Sequence, residues 1–139
     1  MLARQIMQKN LVTIPFKSSV QEAASKMKEH NVGSVLVLED GAKLKGMLTD
    51  RDIAVEVVAS NKDPRLTCVC DVMSQDIITA DADVDIDSAM RIMNRAKVMR
   101  LPLMENGKLV GIISLADLAA AMKEQIDQFM GLEEAALKG

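Results

Sequence analysis

The chain repeats itself, so any fold for it must be built from two copies of one unit. When the sequence is slid along itself until Met7 meets Met73, Thr13 meets Thr79 and Val20 meets Ile86. The same shift brings Ala23 onto Ala89, Met27 onto Met93, Val32 onto Val98 and Gly41 onto Gly107. After one extra residue in the first copy, Gly46 meets Gly111, Thr49 meets Ser114 and Asp52 meets Asp117. Apolar sites map onto apolar sites and turns onto turns, a correspondence of position class that carries more weight than the identities alone.

Each copy reads β-α-β-β-α. In the first, a short strand spans Leu11 to Ile14, and Ser18-Ser19 opens a helix in which Ser19 and Glu22 have capping-box spacing. Val20, Ala23, Ala24 and Met27 then form one apolar stripe at helical period. The β-branched run Val32 to Leu38, the turn Glu39-Asp40-Gly41 and the strand Lys45 to Leu48 read as a hairpin. A second helix starts near Thr49 and carries Ile53, Val57 and Val58. The second copy repeats the order: strand Ile77 to Ala80, helix from Asp85, strand Val98 to Met104, turn Glu105-Asn106-Gly107, strand Leu109 to Ile113, helix from Ser114. The predicted organisation is therefore residues 1–59 as the first repeat, 60–67 as a linker, 68–123 as the second repeat and 124–139 as a helical tail. Neither half has many apolar residues, so the α/β (α+β) fold is predicted as one pseudo-two-fold module with a shared core. Leu118, Met122, Ile126 and Phe129 keep helical spacing past the end of the repeat. This stripe either packs back on its own module or meets a second copy.

Composition narrows the function classes. The 139 residues are 49% hydrophobic, enough for a core without staples, and the net charge of -3 gives no general attraction to phosphate backbones or anionic membranes. With no Trp, no Tyr and only Phe16 and Phe129, base-stacking platforms are missing too. The polar start MLARQIMQKN is no secretory h-region, and no apolar run reaches spanning length. A cytoplasmic location is the expectation, since a secreted chain more often carries a disulfide framework. No Walker loop, nucleophile elbow or His-Glu-x-x-His occurs, and no enzyme activity is expected.

Both copies carry one pattern late in the repeat: VMRLPLMENGKLVGIISLADL from Val98 to Leu118, and VGSVLVLEDGAKLKGMLTDRDI from Val32 to Ile53. A strand and a Gly turn lead into Gly followed by two apolar residues, then Ser/Thr-x-x-Asp at a helix start. The lead-ins Gln5-Ile6-Met7 and Asp71-Val72-Met73 precede them, the first with Gln5 in place of an acid. Residues 2 to about 123 thus resemble a pair of CBS (cystathionine-β-synthase-type) repeats, a Bateman module, of the stand-alone bacterial type. The resemblance implies a regulatory module that binds an adenosyl ligand (AMP, ADP, ATP, NAD or S-adenosylmethionine) as effector rather than cofactor, forms a homodimer, and passes its change to a partner protein.

The pattern has a physical sense of its own. A Ser or Thr at the N-cap and an Asp three residues on stand at the mouth of a helix. The carboxylate accepts from neighbouring sugar hydroxyls, while free backbone N–H groups favour phosphate. Met47-Leu48 and Ile112-Ile113 can wall a flat purine. The same spacing also fits simple capping, with both side chains bonded to backbone N–H groups. In the family arrangement each cleft draws on both copies. Cleft one would use Thr49, Asp52, Arg51 and Met47, with Thr79 and Val98-Met99 across from them. Cleft two would use Ser114, Asp117, Ile112 and Arg100, with Thr13 and Val32-Gly33 across. Cleft two is favoured, because Asp50 beside Arg51 offsets part of what that cation offers a phosphate.

Other features have plainer readings. Cys68 and Cys70, with His30 as the one histidine, cannot complete a four-ligand zinc site within one subunit, so they read as structural residues of an extended lead-in and no metal site is expected. His30 should face solvent at a helix end. The 11 methionines fit as core filler. In the acidic stretch DADVDID from Asp81 to Asp87, Asp85 reads as an N-cap and the others as favouring the helix start.

Overall fold

The computed structural model describes residues 1–138. Its elements follow the β-α-β-β-α order twice. In the first repeat they are β1 (Thr13–Pro15), α1 (Val20–His30), β2 (Ser34–Glu39), β3 (Lys43–Thr49) and the single turn α2 (Asp50–Asp52). A π-helical segment, Ile53–Val58, continues α2. A short helix, α3 (Val69–Val72), precedes the second repeat, made of β4 (Ala80–Asp81), α4 (Ile86–Ala96), β5 (Arg100–Glu105), β6 (Lys108–Ser114) and α5 (Leu115–Lys138). Two three-stranded sheets result, ordered β1-β2-β3 and β4-β5-β6. In each, the first strand runs parallel to the second, as a β-α-β crossover requires.

Local chemistry explains the helix limits. Ser19 caps α1 by accepting from the Glu22 N–H at 3.1 Å, and Asp85 caps α4 by accepting from Ser88 at 2.8 Å. Both helices end on a left-handed residue, Asn31 and Lys97, whose successors Val32 and Val98 donate back to Met27 and Met93. The predicted stripe of α1 is buried at Val20, Ala23 and Met27. His30 is exposed, as expected.

The chain partitions into two compact units that do not follow the repeat boundaries. A C-terminal unit takes residues 1–9, 79–105 and 110 onward; an N-terminal unit takes 10–78 and 106–109. The cause is an exchange of lead-ins. In the C-terminal unit Ala3 donates to Val84 at 2.8 Å, Ile86 donates to Met1 at 3.0 Å, and Gln8 and Ile112 exchange both backbone bonds. In the N-terminal unit the counterparts recur: Val69 donates to Ser18, Val20 to Thr67, and Ser74 and Met47 exchange bonds. Two buried clusters follow. One gathers Ala3 with Ala82, Ile86, Ala89, Met93, Leu101, Leu103, Ile113 and Leu118. The other gathers Val69 and Val72 with Ile14, Val20, Ala23, Val35, Val37, Leu48 and Val57. Each cluster thus holds residues from both halves of the sequence.

The glycine before each pair of apolar residues is explained by the same exchange. A Cβ on Gly46 would lie 2.6 Å from the Met73 sulfur and 2.8 Å from the Ser74 carbonyl oxygen, and one on Gly111 would lie 2.8 Å from Met7 Cγ. The Met of each lead-in occupies the space that a side chain would need.

Several expected limits move. The first strand starts at Thr13 rather than Leu11, since its ladder pairs Thr13, Ile14 and Pro15 with Leu36, Val37 and Leu38. The strand expected at Ile77 to Ala80 lies at Ala80–Asp81, because Ile77 closes a tight turn by donating to Gln75. The helix after Thr49 widens into the π segment, which leaves Val57 buried but Val58 67% exposed. Cys68 and Cys70 open a helical turn, not an extended strand. Along α5, Leu118 and Ala121 are buried, whereas Met122, Ile126 and Phe129 are exposed, so beyond Ala121 the stripe has not packed back. No described helix is long and apolar enough to cross a membrane.

Candidate functional site

The two Ser/Thr-x-x-Asp motifs stand at the same place in their units, where the last strand of a sheet turns into a helix. In the N-terminal unit the Thr49 N–H donates to Asp52 Oδ2 at 3.0 Å, and the Asp52 N–H donates to Thr49 Oγ1 at 3.1 Å. In the C-terminal unit Ser114 donates to Asp117 Oδ2 at 2.9 Å and Asp117 to Ser114 Oγ at 3.1 Å. Each is a complete reciprocal capping box. One carboxylate oxygen of each aspartate is thereby committed to the fold, and only the other is available for anything else.

That second oxygen distinguishes the motifs. Asp117 Oδ1 accepts from the Gln8 side-chain amide at 3.1 Å. Asp52 Oδ1 accepts nothing among the described residues; the position equivalent to Gln8 is Ser74, whose backbone pairs with Met47. Burial pushes the Asp117 carboxyl upward, but hydrogen bonds from Ser114 and Gln8, with the positive charge of Arg100, outweigh it and hold the group below its ordinary range. Arg100 is exposed and its charge reaches Asp117. Arg51 is exposed beside Asp50, whose Oδ1 accepts from the Arg51 N–H at 2.8 Å.

The remaining expected site residues divide between the units. Ser114, Asp117, Ile112, Arg100, Thr79, Val98 and Met99 belong to the C-terminal unit, and Thr49, Asp52, Arg51, Met47, Thr13, Val32 and Gly33 to the N-terminal unit. Within their own units, Gly33 accepts from the Asp50 N–H at 2.9 Å and Met99 accepts from Leu115 at 2.9 Å. Each therefore sits at the first turn of the helix that its own repeat's motif caps. A side chain at Gly33 would meet the Asp50 carboxylate at 3.1 Å. Met47 and Ile112 are half-buried strand residues, Thr13 begins β1 and Thr79 is exposed just before β4. Val98 and Met99 also line a groove of about 610 Å³ with Met90, Met93 and Leu115, edged by Asp87, Arg91 and Lys97. Ser114, Asp117 and Arg100 do not line it.

Gln8 escaped the sequence reading, as did the packing of Met7 and Met73 on the motif glycines. An isolated glutamine near the start of a chain carries no period or spacing that would single it out. The repeat alignment did offer one sign, since Met7 and Met73 coincide and so place Gln8 on Ser74.

The chain is similar to known proteins along most of its length. The family model described as "CBS domain" matches residues 3–59 and 69–124. A CBS domain-containing protein of Bacillus subtilis, YhcV, is 40% identical over 116 residues, covering 84% of this chain and 81% of that protein. Among solved structures, hypoxic response protein I with two coordinated zinc ions superposes with a TM-score of 0.77 at 31% identity, covering 86% of this chain and 98% of its own. A putative signal-transduction protein with CBS domains from Burkholderia ambifaria gives 0.73 at 27% identity, covering 88% and 93%.

Proposed function

Because this chain belongs to the CBS-domain family and carries the domain twice, we propose that it is a regulatory module whose effector is an adenosyl compound bound at the Ser/Thr-x-x-Asp motifs. The observation that supports this most directly is the division of labour in Asp117. Oδ2 closes the helix cap, while Oδ1 is held only by the amide of Gln8. A ribose hydroxyl can replace that amide as donor without opening the cap. Arg100 supplies a cation near the same carboxylate for the phosphate of the ligand, and Ile112 offers an aliphatic wall for the purine. The Ser114–Asp117 motif is favoured over Thr49–Asp52, where Asp50 beside Arg51 opposes an anion. The family resemblance implies Thr13, Val32 and Gly33 for the Ser114–Asp117 cleft, and Thr79, Val98 and Met99 for the Thr49–Asp52 cleft. The module works as a homodimer in the cytoplasm and hands its change of state to a partner protein. Such transmission requires the ligand to bind the two states with different affinity.

A second reading has its own support. Both motifs already satisfy themselves as capping boxes, which a ligand-independent dimerisation or scaffold module would need and no more. Thermal unfolding of the purified chain with AMP, ADP, ATP, NAD and S-adenosylmethionine separates the two. A ligand at about 100 times its Kd adds roughly 2.7 kcal/mol and moves the midpoint by several degrees. The sensor reading expects such a shift with one of these compounds and its loss in Asp117→Ala. No shift with any of them at millimolar concentration sinks it in favour of the scaffold.

A further inference from the structure

Cys68 and Cys70 have no part in the motifs above. Their sulfurs are bonded to each other across a single intervening residue, with Cα atoms 5.2 Å apart. A bridge this short joins no separate elements. It closes so small a loop that it removes little freedom from the unfolded chain. The fold at this point is held otherwise: Val69 and Val72 are buried, Val69 donates to Ser18 at 2.8 Å, and Met73 and Ser74 continue into the pairing with Met47. Cys68 Sγ also takes the Cys70 N–H at 3.2 Å and lies 3.3 Å from the Phe16 carbonyl oxygen. Both cysteines are only half-buried, so a small thiol reaches them.

The third group is Asp71. Its Oδ1 lies 3.9 Å from Cys70 Sγ, and the two sulfurs and this carboxylate all lie within 4.8 Å of one another. Asp71 is exposed and has no ion-pair partner among the described residues. Two sulfurs and a carboxylate oxygen this close together are a donor set for a thiophilic divalent cation, but only when the sulfurs are thiolates.

We propose that Cys68, Cys70 and Asp71 form a redox-gated binding site for a thiophilic divalent cation such as Zn²⁺. In the gating step two molecules of a low-molecular-weight thiol reduce the bridge: the Cys68–Cys70 S–S bond breaks, two protein thiols form, and the reductant leaves as its own disulfide. In the binding step both thiols lose their protons to solvent as two S–M bonds form, and Asp71 supplies the third ligand. Water takes the fourth position, so the set is complete within one chain, unlike an all-protein zinc site, which needs four side chains.

The test uses the whole chain in two states. Aromatic-disulfide titration should find no thiol before a phosphine reductant and two after it. Reduced protein should bind one Cd²⁺ per chain, seen as a thiolate-to-metal charge-transfer band, with release of nearly two protons near neutral pH. Oxidised protein should bind none. Asp71→Asn should keep two thiols and weaken the metal by more than the roughly tenfold that loss of a mere outer-shell partner costs, and Cys70→Ser should abolish the band. If Cys70→Ser folds poorly, alkylation of reduced wild type serves instead and should also block uptake. Equal uptake by oxidised and reduced protein, two reactive thiols before reduction, bridging sulfurs that resist the reductant, or no uptake after reduction would each overturn the proposal.

Discussion

At the scale of single residues, Asp117 serves the fold and the proposed ligand with different oxygens, and the two roles can be separated. Its carboxyl is held below the ordinary range in the folded chain. Its ionised form therefore stabilises the fold fully above the unfolded carboxylate value of roughly 3.9, and that contribution is lost as pH falls through the lower folded value. Asp117→Asn, which removes a negative charge from the first helical turn, should cost about 0.3–1 kcal/mol near neutral pH. Urea midpoints of the variant and wild type, followed from about pH 6 to about pH 2, should converge at the acid end; a gap that stays constant would mean that ionisation is not what Asp117 contributes. Gln8 is the complementary probe. Its backbone, not its amide, joins Ile112, so Gln8→Ala should leave the sheet intact and free Asp117 Oδ1. Calorimetric titration should then show tighter adenosyl binding by a few-fold, and weaker binding would mean that the amide contacts the ligand instead of competing with it. The motif itself was legible in the sequence because Ser/Thr-x-x-Asp recurs in register. The competing donor was not, because a side chain arriving from more than a hundred positions away leaves no local pattern.

At the scale of elements, the last strand of each sheet packs closely against a lead-in, and its glycine shows how closely. Gly46 lies against both a flexible methionine and the Ser74 carbonyl, whereas Gly111 meets Met7, with the Gln8 carbonyl further off at 3.1 Å. Met side chains can move aside, but a backbone carbonyl engaged with Met47 cannot. Gly46→Ala should therefore lower stability by about 1–3 kcal/mol, and Gly111→Ala by less, as measured by denaturant unfolding. Equal losses would show that methionine displacement dominates at both sites. Helical periodicity revealed α1 and α4 almost to their caps, since Val20, Ala23 and Met27 recur as Ile86, Ala89 and Met93. The lead-ins were not readable in that way. Residues 2–8 and 68–74 use isolated bridges and single turns, too short for either the helical or the strand period to register. For the same reason Cys68 was expected on an extended segment when it caps a turn.

At the scale of the whole molecule, sequence order and folded units are out of step, and this has a consequence for how the chain can be divided. The cluster around Leu101, Leu103 and Ile113 contains Ala3, with Ile6 and Met7 packed against it. The cluster around Ile14, Val35 and Leu48 contains Val69 and Val72, with Met73 against it. The repetition and the few apolar residues of each half predict a core shared by both; which segment each half lends to the other depends on pairing between distant residues. A cut between Asn61 and Lys62, in the linker, removes α3 from the first repeat's core and Ala3 from the second's. Each half then exposes apolar surface that its own sequence cannot cover, and small domains have little stability to spare. Each fragment made separately should show no cooperative thermal transition by circular dichroism. Mixed in equal amounts, they should recover the helical signal and elute together at the size of the intact chain. A fragment that folds cooperatively by itself would mean that the exchanged lead-ins decorate the cores without being needed to form them.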